Sequence, residues 1–389
     1  MTEITLHWFL PTYGDSRNIM AGGHGSGLEA GPREPSLAYL KQIALAAETN
    51  GFESMLVPTG QWCNDAWVAS SALIPETSRL KFLIAFRPGI INPVLIGQQA
   101  QTFQDLSKGR LLLNVVIGGE DSEQRTFGDD TTKIQRYERA DEALEITSHL
   151  WRENTPLDYE GEYYQTRGSQ LARLPYAVPP IYFGGSSEKG IEVAGKHSDV
   201  YLTWGEPLPA VSEKLSRVAA AAKAAGRDES ELEYGIRLHV ISRETEDEAW
   251  EEAQRLLDGV DEEKVREIQK KLATSQSEGQ RRMTELHNQG SGFKTGDDAR
   301  SLEIAPNLWA GVGLIRGGAG TALVGSHRQV AERIAEYREA GLKHVVLSGY
   351  PHLEETYAVG EGVVPELQRL GYSVTNHPDA ADNGAHDND

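Results

Sequence analysis

Cysteine is almost absent: Cys63 is the only one in 389 residues. No internal disulfide is possible, and a reducing, cytoplasmic compartment is expected. One thiol, with no second Cys and no HxH or HExxH string nearby, also predicts no metal site. Basic charge is scarce. Lys and Arg number 38 against 58 Asp and Glu, a net charge of −20. Neither nucleic acid nor an anionic membrane is an expected partner, since both attract basic faces. Long hydrophobic runs are missing too. Nothing approaches the roughly 18 apolar residues of a membrane span. The opening MTEITLHWFLP has neither a basic leader nor a long apolar run, so no secretion signal is expected.

What the chain does have is alternation between short apolar runs and amphipathic segments. Strands are predicted at Ile4–Leu10, Phe52–Val57, Leu80–Phe86, Arg110–Ile117, Pro180–Phe183, Asp199–Thr203, Gly235–Ile241 and His344–Leu347. Helical patterns fill the gaps, among them Ser36–Asn50, Asn92–Leu106, Gln135–Trp151, Pro209–Ala225, Glu246–Leu257 and His327–Ala340. Eight strands, each followed by a helix, predict an α/β fold: a (β/α)8 TIM barrel with insertions. No short repeat and no interdomain linker is evident. Residues 1–370 read as one domain, and 371–389 as a disordered acidic tail. The seventh and eighth strands are about a hundred residues apart. Loops after strands form the catalytic face of such barrels, so the insertion at about 259–325 is expected to be a mobile lid.

The seventh strand carries the sharpest signal. Ile236, Leu238 and Val240 share one face, and Arg237 and His239 share the other, because residues i and i+2 point the same way. A guanidinium beside an imidazole suits an anion plus a proton transfer. A solvated surface strand is the bland account. Other strand ends converge on the same mouth. Gly184-Gly185-Ser186-Ser187, at a helix start, offers bare N–H groups and hydroxyls to a phosphate, or is a simple capped turn. Trp204, Tyr350 and His352 follow the sixth and eighth strands. Cys63 is a nucleophile or a packing residue. Arg316 sits in the glycine-dense run Gly311–Gly320, where it could swing onto a bound anion, or be a solvated loop residue.

Several strings together are specific: Trp8-Phe9-Leu10-Pro11-Thr12, Leu56-Val57-Pro58-Thr59-Gly60, Tyr182-Phe183-Gly184-Gly185-Ser186-Ser187, Tyr201-Leu202-Thr203-Trp204-Gly205-Glu206-Pro207, Gly235-Ile236-Arg237-Leu238-His239-Val240, Pro306-Asn307-Leu308-Trp309-Ala310-Gly311-Val312-Gly313-Leu314 and Leu347-Ser348-Gly349-Tyr350-Pro351-His352. Over about residues 4–365 the chain resembles the FMNH2-dependent alkanesulfonate monooxygenases, a two-component branch of the bacterial-luciferase-like flavoproteins.

The resemblance implies FMN, supplied reduced by a separate NAD(P)H-dependent FMN reductase, and O2 as co-substrate. It implies oxygenation of the carbon bearing a sulfonate, with C–S cleavage to a carbonyl and sulfite. By the same resemblance Arg237 and Arg316 bind the sulfonate or stabilise a peroxide, and His239 and Tyr350 serve acid–base steps. Cys63 lies near the flavin, Asn114 and Tyr137 touch it, and Gly185, Ser186 and Ser187 seat its phosphate. Trp204 and His352 complete a substrate pocket, and dimers or tetramers are implied. Two departures bear on substrate. Tyr13 stands where the simple alkanesulfonate enzymes have His, in a longer Gly-rich loop, and Gln61-Trp62 replaces an Arg-small pair before Cys63. Lost charge and an added aromatic surface suit a bulkier polar sulfonate, such as sulfoquinovose. A simple alkanesulfonate enzyme, a dialkylsulfone monooxygenase and a non-catalytic flavin-binding barrel are the alternatives.

Overall fold

The computed structural model describes residues 2–20, 31–153, 155–287 and 293–375. Eight parallel strands close on themselves: β1 (Thr2–Phe9), β2 (Ser54–Val57), β3 (Lys81–Phe86), β4 (Leu111–Val115), β5 (Ile181–Phe183), β6 (Val200–Trp204), β7 (Glu233–Arg243) and β8 (Leu342–Ser348). Each pairs with the next, and β8 returns to β1 through Thr5 opposite His344 and Trp8 opposite Leu347. The fold is a (β/α)8 barrel with insertions, as the alternating pattern predicts.

Strands covered on both faces read as continuous apolar runs, and β3, Lys-Phe-Leu-Ile-Ala-Phe, is buried from its second residue on. The outward side chains, such as Ile236, Leu238 and Val240 of β7, pack under the surrounding helices. A smaller inner cluster, including Phe9, Leu56, Leu83, Leu112 and Val346, fills the barrel itself. Helix starts are chemically marked. Ser36 caps Leu37–Thr49, and Thr132 and Ser326 form capping boxes for Lys133–Arg152 and His327–Glu339.

Two features were not expected. Ala322–Ser326 is a further parallel strand, pairing with the C-terminal half of β7 from His239 to Arg243. Tyr372–Val374, inside the stretch read as tail, is a strand along β1. That stretch is therefore structured as far as Val374; residues 376–389 lie outside the described residues, as do Gly22, Gly23, Gly25 and Gly27 of the first loop. The 259–325 insertion contains the helices Glu262–Leu272 and Glu278–His287 and a short hairpin, Glu303–Ala305 with Leu308–Trp309. Among the described residues no helix is long and apolar enough to cross a membrane, and no cluster of His, Cys, Asp or Glu could hold a metal.

Candidate functional site

A cavity of about 320 Å³ opens at the C-terminal ends of the strands, within the usual range for small-molecule pockets. The strand period puts Arg237 and His239 on its wall. Tyr13 and Trp62 come from the loops after β1 and β2, Arg87 directly follows β3, and Asn114 lies on β4. Residues 275–280 and 316–319 of the insertion form its roof: Ser275, Gly279, Gln280 and Arg316 all line it, and the Gly318 N–H donates to Gln280 Oε1 at 2.9 Å. Gly279 passes so close to Trp204 that a Cβ there would lie 3.0 Å from the indole.

At one end of the cavity sit two guanidiniums without a counter-ion. Arg237 and Arg316 are both buried, at 9 % and 6 % exposure. Neither has a carboxylate in ion-pairing distance among the described residues; their close neighbours are tyrosines and each other. Arg237 lies over Phe9, 4.9 Å from the ring centroid, and Arg316 lies over Tyr13 at 5.2 Å. Arg316 also donates to the Tyr350 hydroxyl. Burial, opposed by the nearby tyrosines, pulls Arg237 down to about 10, so it stays cationic at neutral pH. Leaving a charge buried and unpaired costs several kcal/mol, roughly. An anionic ligand would offset that cost.

Ser348, which no sequence motif singled out, joins this pair to His239. Arg237 Nη2 donates to Ser348 Oγ at 2.8 Å, and Ser348 Oγ lies 2.8 Å from His239 Nδ1. The Ala319 carbonyl, 3.1 Å from Nε2, can only accept, so His239 carries its hydrogen on Nε2. Nδ1 of the neutral ring is then an acceptor, and the Ser348 hydroxyl, itself accepting from Arg237, donates to it. Burial, then repulsion from Arg237 and Arg316, holds His239 well below the ordinary histidine range. The imidazole is neutral at pH 7.

At the other end, Ser187 caps the helix Glu188–His197, its Oγ accepting from the Gly190 N–H at 3.2 Å, with Ser186 just before it. Tyr137 reaches this turn from the helix Lys133–Arg152. The turn tolerates no side chain. A Cβ at Gly184 would lie 2.7 Å from the Leu202 carbonyl, and one at Gly190 would lie 2.8 Å from the Tyr137 hydroxyl. Bare backbone, two serine hydroxyls and a tyrosine hydroxyl at a helix start make a donor set suited to a phosphate ester. The residues present therefore fit FMN, with Asn114 on the wall between the two ends.

Three expected site residues stand behind the wall. Tyr350 meets the cavity wall through Arg316 and through its ring, stacked on His239 with centroids 5.4 Å apart, and burial raises its hydroxyl to about 12. His352 is fully enclosed, with Nδ1 2.9 Å from Asp15 and its ring edge-on to Tyr350. Cys63 directs its thiol at the Pro58 and Gly60 carbonyls, and burial pushes it up to about 12. It is a protonated thiol, not a thiolate nucleophile. Arg316, read as part of a glycine-dense swinging loop, is buried here and follows a short 3-10 turn, Gly311–Leu314. Beyond Ser348, sequence reasoning also missed the Arg87–Glu123 ion pair, 2.7 Å, on the wall near Trp62.

The chain's residues 7–344 match the model of the luciferase-like monooxygenase family. The fold is similar to riboflavin lyase RcaE, solved with modified FMN and riboflavin: TM-score 0.77, 19% identity, 97% of this chain and 93% of that one. It is similar to DmoA from Hyphomicrobium sulfonivorans, with TM-score 0.76, 18% identity and coverage of 95% and 89%. It also resembles the oxygenating constituent of 3,6-diketocamphane monooxygenase from Pseudomonas putida in complex with FMN, with TM-score 0.67, 18% identity and coverage of 94% and 99%. With strands, mouth and roof in place over the matched span, the chain belongs to the luciferase-like monooxygenase family.

Proposed function

We propose that the protein is an FMNH2- and O2-dependent organosulfonate monooxygenase. The observation that carries this reading is the carboxylate-free pair Arg237 and Arg316 beside neutral His239. Two buried cations in a substrate cavity call for an anion, and a forked guanidinium matches the oxygens of a sulfonate. The overall reaction balances as RCH2SO3⁻ + O2 + FMNH2 → RCHO + HSO3⁻ + FMN + H2O. One oxygen atom enters the carbon bearing sulfur, the other leaves as water, and the flavin supplies two electrons.

Reduced FMN, bound at the Ser186-Ser187 end, would supply oxygen activation. The chain's own residues do the rest. Arg237 and Arg316 hold the anion and fix its α-carbon toward the cavity centre. His239, neutral and held by Ser348 and Ala319, fixes the Ser348 hydroxyl that in turn positions the Arg237 guanidinium for the anion. Residues 275–280 and 316–319 keep water from the reacting atoms. The reduced flavin would come from an NAD(P)H-dependent FMN reductase, and the chain would act as a dimer or tetramer, as in related two-component enzymes.

The substrate is proposed to be a bulky polar sulfonate such as sulfoquinovose. Tyr13 and Trp62 face each other with ring centroids 5.3 Å apart at the cavity edge, with Arg87 and Glu123 close by. An aromatic surface flanked by a donor and an acceptor suits a ring bearing hydroxyls. The test is sulfite release with reduced FMN and O2 across short alkyl, aromatic and sugar sulfonates, with dimethyl sulfone as the neutral comparison. Sulfite from a sugar sulfonate above all others is expected. No sulfite from any of them overturns the reading.

A further inference from the structure

Lys133 begins the helix Lys133–Arg152, one turn before Tyr137, so the two side chains share a helix face. Both line the cavity; Tyr137 meets Ser187 there, and Lys133 stands one helical turn away. A lysine is an unfavourable first residue for a helix, whose N-terminus carries partial positive charge, and no acidic residue stands in this first turn. The ammonium is partly buried. Among the described residues its one direct partner is the Gln276 carbonyl in the roof, 2.6 Å away, which leaves two of its three N–H donors. The charged groups around it are committed elsewhere. Asp121 takes Arg136 at 2.7 Å and the Gln276 amide at 2.7 Å, and Glu278 pairs with Arg281 at 2.5 Å. Burial and then Arg136, on the same helix, disfavour the charged ammonium, ahead of the attraction from Glu278, Glu120 and Asp121.

We propose that Lys133 is a ligand of the cofactor's phosphate and ties that phosphate to the roof through the Gln276 carbonyl. This rests on the reading that the Ser186-Ser187 turn seats FMN. The turn supplies neutral donors, and a phosphate monoester carries close to two negative charges at neutral pH. Lys133 supplies the cation that the turn itself lacks. Because the same ammonium holds Gln276, filling the seat fixes a point of the roof just ahead of Ser277–Gln280. Phosphate binding at one end of the cavity is thereby coupled to closure over the other.

Riboflavin, which is FMN without its phosphate, makes the test specific. Dissociation constants for oxidised FMN and riboflavin are measured by flavin fluorescence on wild type, Lys133→Met and Lys133→Arg. Lys133→Met is expected to lose about tenfold to a hundredfold in FMN affinity, the scale of one charge-assisted hydrogen bond, with riboflavin affinity unchanged. Lys133→Arg should recover most of the loss. An unchanged FMN-to-riboflavin ratio in Lys133→Met, or equal weakening of both ligands, would overturn the assignment. Hydrogen exchange tests the coupling. In wild type, FMN should slow exchange over 273–281 and riboflavin should not; equal protection by both would refute the tie to the roof. If wild type binds neither flavin, the functional reading falls and takes this inference with it. If wild type and Lys133→Met bind FMN alike, only this inference falls.

Discussion

Two buried histidine clusters stand at opposite ends of one barrel, and they are completed differently. At the base, His7 Nδ1 meets Ser54 at 2.7 Å, His7 Nε2 meets His344 Nδ1 at 3.0 Å, and His344 Nε2 meets Glu233 at 2.7 Å. Every ring nitrogen ends on a protein group, and a carboxylate closes the chain. At the mouth, His239 is also held on both nitrogens, but among the described residues the cations beside it have no carboxylate. The base is a finished polar network whose role is to hold strands together. The mouth leaves two cations to be neutralised from outside, which is the basis of the proposed anion seat.

Truncation at the two ends should therefore give opposite results. The largest effect is expected from Arg237→Ala, which should lower kcat/KM for a sulfonate by about a hundredfold or more while the fold persists, since a buried charge pair loses its forked partner. Steady-state sulfite assays check this; near wild-type turnover would remove Arg237 from the site. Ser348→Ala should cost about tenfold in kcat/KM, because both Arg237 and Nδ1 of His239 lose a partner. His344→Phe should do the reverse: denaturant melts should show about 1–3 kcal/mol lost, with sulfonate affinity unchanged.

Acid sharpens the contrast further. The hydrogen bond to His344, outweighing burial, holds Glu233 down to about 2. A carboxyl depressed below its ordinary value of about 4.3 adds stability that is complete above that pH and is lost as pH falls toward 2. Glu233→Gln should flatten that part of the acid melt. The mouth guanidiniums stay charged throughout this range. The smallest expected effect is Cys63→Ser, within about twofold in turnover, since the thiol is protonated and bonded to carbonyls.

The barrel was legible because buried parallel strands and capped helices write their periods directly into the chain. Arg237 and His239 were legible for the same reason: a two-residue period leaves no choice of face once Ile236 and Leu238 are buried. Ser348 was not, because its role depends on register between strands. It lies directly opposite His239 across β7 and β8. A signal did exist, since Ser348 shares a face with Val346, an inner-core residue. The strand Ala322–Ser326 was missed because it is short, contains Gly325 and follows a glycine-dense run. Tyr350 and His352 were placed at the right end of the barrel, but depth below a cavity surface is a product of packing, not of spacing.

If the mouth is an anion seat, ligand charge decides what it binds. Calorimetric titration should compare a sugar sulfonate with a neutral sulfone, on wild type and Arg237→Ala. Wild type should bind the sulfonate, Arg237→Ala should lose that binding, and neither should bind the sulfone measurably. Tighter binding of the sulfone, or sulfonate binding untouched by Arg237→Ala, would contradict it.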